Sequence, residues 1–157
     1  MIVYLSGAME NAIDEGADWR GELTQWLKSE LDHDVIDPVI TSKELVEENN
    51  AQNYRDWKTS DPDRFIQFVR KAIKLDLNNV MDKADYVICL WTREVFTGGG
   101  THGEVTMAYT INKPVYLVNQ VPQEKFSGWI MSCATEIFPD FSTLKSFLLE
   151  TYRFGME

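Results

Sequence analysis

Behind Asp85, in the middle of the chain, runs Tyr86-Val87-Ile88-Cys89-Leu90-Trp91. The run does not alternate apolar with polar residues, and it is far too short to cross a membrane as a helix. Both of its faces must therefore be covered, as in an inner strand of a parallel sheet. Three further runs are strand-like. Ile2 to Leu5 ends at Ser6-Gly7, Asp34 to Asp37 is broken by Pro38, and Pro114 to Val118 lies toward the C-terminus.

Helical spacing fills the gaps between these strands. Trp19, Leu23, Trp26, Leu27 and Leu31 recur at helical intervals. Ser60-Asp61-Pro62-Asp63 is a helix start, with a cap followed by proline, and predicts a helix to about Met81. Gly98-Gly99-Gly100 leads into a helix from about His102 to Ile111, and a last helix covers about Ser142 to Tyr152. Residues 41–60 are polar and aperiodic and read as a long loop insertion with at most a helical turn. A second loop carries Trp129 and Cys133. Strands alternating with helices imply an α/β fold in a single domain spanning 1–157: a flavodoxin/Rossmann-like, doubly wound parallel sheet of about 4–5 strands with helices on both faces. Ligands bind such sheets at the carboxyl ends of the strands, which directs attention to Ser6–Asn11, Asp37–Ile40, Trp91–Glu104 and Asn119 onward.

Composition narrows the partners. With 15 Lys and Arg against 25 Asp and Glu, the net charge is -10. That disfavours a nucleic-acid backbone and an anionic membrane surface and leaves a small molecule. No signal-peptide pattern and no transmembrane run is present, so a cytoplasmic address is expected. Cys89 reads as a buried thiol. Nothing has metal-ligand spacing, and with only two histidines, His33 and His102, a histidine-rich metal site is ruled out.

Two carboxylates stand out. At about 100° per residue, the helix over Phe65–Val80 puts Phe65, Val69, Ala72 and Val80 on one stripe and Arg70, Lys71 and Lys74 opposite. Asp76 falls roughly 20° from Phe65 on that wheel, inside the apolar arc. A carboxylate there either caps the N–H groups of a loop or faces a cavity. Glu104 follows the glycine run. It is either the second half of a Thr101-x-x-Glu104 capping box or a nucleophile kept ionised by the helix dipole.

Gly99, Gly100 and Thr101 would let a ligand approach the backbone closely and offer it a helix N-terminus. The run is neither a P-loop nor a dinucleotide fingerprint. His102 falls beside such a ligand, although no orienting partner for a general base can be named. Trp19 and Trp91 either stack on a base or simply pack at element ends. Asp37 precedes Pro38 where turn chemistry and ligand binding both want a carboxylate.

In their order and spacing these segments resemble the nucleoside 2-deoxyribosyltransferase family. Ile2-Val3-Tyr4-Leu5-Ser6-Gly7-Ala8-Met9 is similar to its opening strand and small-residue loop, and Asp37-Pro38 follows the second strand as in the family. Leu75-Asp76-Leu77-Asn78-Asn79 and Lys83-Ala84-Asp85-Tyr86-Val87-Ile88 resemble its helix-then-strand core. Gly100-Thr101-His102-Gly103-Glu104, with Ala108-Tyr109 and Lys113-Pro114-Val115, resembles its catalytic segment. Ser127 to Ser132 sits where the family has a loop that completes a neighbouring protomer's site. The likeness covers most of the chain, and the excess is chiefly residues 41–60.

The resemblance implies an enzyme whose glycosyl transfer needs carboxylates and stacking, with no metal or organic cofactor. Glu104 would attack the anomeric carbon of a 2-deoxynucleoside to form a deoxyribosyl-glutamate, and Asp76 would manage the proton of the departing base. Ser6, Gly7, Ala8 and Met9 would lie beside the substrate. A second base would then take the sugar, with retention of configuration. It also implies a homo-oligomer in which Trp129 or Ser132 enters a neighbour's site. Some relatives instead hydrolyse nucleoside 5′-monophosphates, holding the phosphate with an arginine in the first loop. Here Ser6 to Trp19 contains no Lys or Arg and Arg20 falls on the helix, so unphosphorylated nucleosides are favoured. An N-glycosidase using water, and a non-catalytic nucleotide-sensing module, are the competing readings.

Overall fold

The computed structural model describes residues 1–154. Five parallel strands form one sheet: β1 (Ile2–Gly7), β2 (Asp34–Ile36), β3 (Tyr86–Trp91), β4 (Val115–Asn119) and β5 (Glu136–Phe138), in the order β2-β1-β3-β4-β5. This is the flavodoxin-like strand order, whose direction reverses between β1 and β3. The register sets Ser6 opposite Cys89 and Gly7 opposite Leu90, so the loops after β1 and β3 leave the sheet side by side.

Among the described residues seven α-helices accompany the strands: α1 (Ala17–Leu31), α2 (Pro38–Glu48), α3 (Tyr54–Ser60), α4 (Pro62–Asn78), α5 (Gly100–Thr110), α6 (Gly128–Cys133) and α7 (Phe141–Leu149). Successive side chains of β3 serve opposite faces, as the pleat requires. Val87, Cys89 and Trp91 pack with Val105 and Ala108 of α5 and Ile130 and Cys133 of α6. Tyr86, Ile88 and Leu90 pack with Leu23 and Leu27 of α1 and Leu144 and Leu148 of α7. Every residue of β3 is buried, so the uniformly apolar run and the two-sided cover are the same fact seen twice. Truncating one of these core leucines to alanine costs about 2–5 kcal/mol. No helix among the described residues is long and apolar enough to cross a membrane.

The expected loop over 41–60 is corrected: it is mostly helical. Asp37 accepts a hydrogen bond from Val39 N–H at 2.9 Å and Pro38 occupies the first turn, so the residues read as the end of a strand are also a helix start. Leu45 and Val46 turn inward while Glu44, Glu47 and Glu48 face solvent, and that charged face hid the helical period. The expected loop around Trp129 and Cys133 is likewise the short helix α6, capped by Ser127 and followed by β5. Asp61 caps α4 by accepting from Arg64 N–H, with Pro62 at its start as expected. α4 ends at Asn78 and passes into a π turn, Asn79–Lys83. Lys113 Nζ closes that turn by donating to the carbonyls of Val80, Met81 and Ala84.

Candidate functional site

A cavity of about 250 Å³ opens at the carboxyl ends of β1 and β3, where the strand order reverses. It is slightly smaller than the ~300–1,000 Å³ of pockets for drug-sized ligands. Its walls differ in chemistry. One side is the loop after β1, Gly7 to Asn11, together with Gly98–Thr101 at the start of α5. The opposite side is built by α2, α3 and α4.

Glu104 and Asp76 both line this cavity. Glu104 is buried, and each of its oxygens accepts one hydroxyl hydrogen bond. Tyr4 donates to Oε1 at 2.9 Å and Ser6 to Oε2 at 2.5 Å. Burial pushes the Glu104 carboxyl above its usual range, while the Ser6 and Tyr4 hydroxyls and the Arg20 guanidinium oppose that rise. Asp76 is pushed up to about 7, first by burial and then by the negative charge of Glu104. Burial, with the two carboxylates beside it, also raises Tyr4 well above its ordinary value, so its hydroxyl stays a donor. Two carboxyl groups with different surroundings thus face one cavity. One is held by two donors suited to an anion, and the other is biased toward keeping its proton near neutrality.

Arg20 underlies the first loop. Its side chain is fully buried and donates to the carbonyls of Leu5 (3.2 Å), Gly7 (3.0 Å), Glu15 (3.0 Å) and Gly16 (3.1 Å). Asp37 stands 3.8 Å from its Nε. Asp14, Glu15 and Gly16 all have positive φ, at 51°, 58° and 75°, and Arg20 fixes the tight turn they make. A Cβ on Gly16 would come 2.5 Å from the guanidinium, and one on Gly7 would come 3.0 Å from the Trp19 ring. At Gly98, Gly99 and Gly100, by contrast, an added Cβ would meet no atom within 4 Å. Nothing in the protein's own packing crowds those three positions, and they border open space in the cavity wall.

No family model matches this chain, and no match is found among curated proteins. The chemistry of the site rests on its own residues.

Ser6, Gly7, Ala8, Met9, Asp76, Gly99, Gly100, Thr101 and Glu104 therefore gather at one cavity or its floor. Several other expected site residues do not. Trp19 stacks on Phe141 at 5.7 Å with Arg20 over its ring, and it packs α1 against α7. Trp91 is fully buried behind the cavity, edge-on to His102 at 4.9 Å. His102 belongs to that packing too; the turn of α5 that carries Glu104 inward carries His102 away from the cavity. Asp37 is the cap of α2 and a neighbour of Arg20.

Trp129 is 69% exposed and donates to Thr106 Oγ1 at 3.0 Å, while Ser132 donates to the Gly128 carbonyl. Neither lines this chain's cavity. The capping-box reading of Thr101 and Glu104 is also corrected. α5 begins at Gly100 with Gly99 as its cap, so Glu104 lies a full turn inside the helix and its carboxylate turns to β1.

Tyr4 was not foreseen as a site residue. The available signal was strand alternation, because Tyr4 lies two residues before Ser6 and shares its face. Leu45 and Val46 of α2, Tyr54, Arg55 and Lys58 of α3, and Phe65 of α4 were missed as cavity residues as well. Arg55 is paired with Glu15 at 2.6 Å. Once 41–60 is read as a loop, nothing in the sequence points these side chains at the site.

Proposed function

We propose that this chain cleaves the N-glycosidic bond of a 2-deoxynucleoside and transfers the sugar to a second base, as a nucleoside 2-deoxyribosyltransferase does. The observation that carries this reading is the pairing of Glu104, held by Tyr4 and Ser6, with Asp76 across one small cavity. In the first step a Glu104 oxygen bonds to the anomeric carbon, and the bond from that carbon to the base nitrogen breaks. Asp76, protonated up to about pH 7, supplies the proton that the departing base takes up. In the second step a nitrogen of the incoming base attacks the same carbon, the ester bond to Glu104 breaks, and Asp76 receives the incoming base's proton. Two displacements retain configuration.

The test is chromatography of the products from deoxyinosine or deoxyadenosine with free cytosine. A new deoxynucleoside from the wild type, absent with Glu104→Gln, supports the reading; an unchanged mixture over the whole deoxynucleoside panel sinks it. One observation favours a second reading, hydrolysis of a nucleoside 5′-monophosphate. The first loop lacks a cation, but Arg55 and Lys58 of α3 bring two to the cavity. Release of base from the monophosphate without any acceptor base would select it. An assembly of copies is part of the proposal, with Trp129 at its contact; sedimentation showing an active monomer at all dilutions would remove that part.

A further inference from the structure

The cavity wall built by α2, α3 and α4 sets apolar side chains beside Ser42, Arg55 and Lys58, and part of its apolar surface comes from the segment that the family resemblance does not cover. Leu45, Val46 and Tyr54 reach it from residues 38–60, on the same wall as Phe65, Val69 and Ala72 of α4. All six are only partly buried, so they present apolar surface to the cavity. Tyr54 is backed by an aromatic stack. Its ring lies 4.8 Å from Phe68 and 6.3 Å from Phe65, the latter stacked and nearly parallel at 14°, and the Arg55 guanidinium sits 5.4 Å from its centroid.

The α4 residues at the cavity form a row. Phe65, Val69, Ala72 and Asp76 succeed one another at intervals of three and four, on one helix face. At a rise of about 1.5 Å per residue the row runs roughly 16 Å from carboxylate to aromatic end. A nucleoside bound for the proposed reaction has its glycosidic nitrogen near Asp76 and its sugar at Glu104. Glycines and the β1 loop surround the Glu104 end, which suits a hydroxylated sugar. The flat, weakly polar base must then extend the other way, over Ala72 and Val69 toward Tyr54.

We infer that the wall built by α2, α3 and α4 is the base subsite, with Tyr54 as its stacking residue and residues 38–60 as the element that selects the base. This rests on the glycosyl-transfer reading above. Stacking of a base on an aromatic side chain tolerates any base but grows with ring area, so two-ring bases gain more from Tyr54 than one-ring bases.

The experiment separates binding from turnover. Free hypoxanthine, adenine and cytosine are titrated calorimetrically into the wild type, Tyr54→Ala, Tyr54→Phe and Ala72→Phe, and base exchange is followed on the same samples. Tyr54→Ala is expected to weaken hypoxanthine and adenine about tenfold and cytosine less. Tyr54→Phe keeps the ring and the affinity, and Ala72→Phe fills the subsite and abolishes base binding. A purely structural role for Tyr54 would not produce a loss graded by ring number.

Base affinity that is unchanged in both Tyr54→Ala and Ala72→Phe overturns the inference. So does a parallel titration in which free bases fail to bind the wild type while deoxyadenosine 5′-monophosphate binds it, with that binding lost in Lys58→Gln and unchanged in Tyr54→Ala. If the wild type binds bases in a Tyr54-dependent way but turns nothing over, the subsite stands and the transferase reading falls. If turnover is present but indifferent to Tyr54 and Ala72, the reverse holds.

Discussion

The Tyr4 hydroxyl donates to Glu104 at 2.9 Å across a separation of 100 residues, and Ser6, on the same face of β1, donates to the other oxygen. Together with the Arg20 guanidinium, these hydroxyls oppose the effect of burial on this carboxyl. Removing either shifts Glu104 further toward its neutral form, which is no nucleophile. Tyr4→Phe is expected to move the acidic limb of the pH–rate profile upward and to lower the rate roughly tenfold or more, since a hydrogen bond to a charged group contributes about 1.5–3 kcal/mol. Ser6→Ala should act in the same direction. An acidic limb that stays in place in both variants would count against Glu104 as the ionised group.

Glu104→Gln keeps size and removes charge. It is expected to fold and to lose more than about a hundredfold in rate, near 3 kcal/mol. The same change removes one of the two causes that raise Asp76. The Asp76 carboxyl, followed by carbon NMR, should therefore titrate at lower pH in Glu104→Gln while staying above an exposed aspartate, because burial persists. No movement on loss of the Glu104 charge would mean the two groups do not share a field.

Asp76 sets the alkaline behaviour. Its folded value of about 7 lies above the 3.8 of a free aspartate, so the folded protein holds a proton that the unfolded chain has lost. Stability therefore falls as pH rises from about 4 to 7, the interval between the two values. Asp76→Asn removes that loss and should be the more stable protein at pH 8. The gap is at most about 4 kcal/mol at ~1.4 kcal/mol per pH unit, and it closes toward pH 4. Its residual activity should lack the decline above pH 7 that deprotonation of Asp76 causes in the wild type. Urea denaturation at several pH values checks the first expectation and a pH–rate profile the second.

Arg20 is a test of construction rather than chemistry. Arg20→Met would strand the carbonyls of Leu5, Gly7, Glu15 and Gly16, and leave Asp37 without its cation. A loss of at least about 3 kcal/mol is expected, since each buried group left unsatisfied costs ~1–3 kcal/mol. The midpoint of urea denaturation reads it. Arg20→Lys, with fewer donors and no fork, should recover only part.

β3 and β4 were legible because they are apolar over most of their lengths, and α4 because Pro62 behind Asp61 is a strong start signal, whereas the three-residue β5, Glu136–Phe138, was lost in the expected loop. Asp76 was legible because a carboxylate among Phe65, Val69 and Ala72 breaks a clean wheel. α2 was not legible, since Glu44, Glu47 and Glu48 mask the inward Leu45 and Val46. Trp19 and Trp91 misled in the opposite way. An aromatic residue at an element end reads alike whether it meets a ligand or Phe141. Tyr4 was hidden by its own strand, whose burial gives a hydroxyl no local mark; only the partner brought by α5 shows its use.

β1 is an inner strand whose other neighbour besides β2 is β3, more than eighty residues further along the chain. During synthesis it leaves the ribosome well before that neighbour exists. At ~5–20 residues per second the delay is several seconds. Through that interval Ile2 to Leu5 is an apolar edge seeking a partner, and the nascent chain depends on α1 and β2 to shelter it.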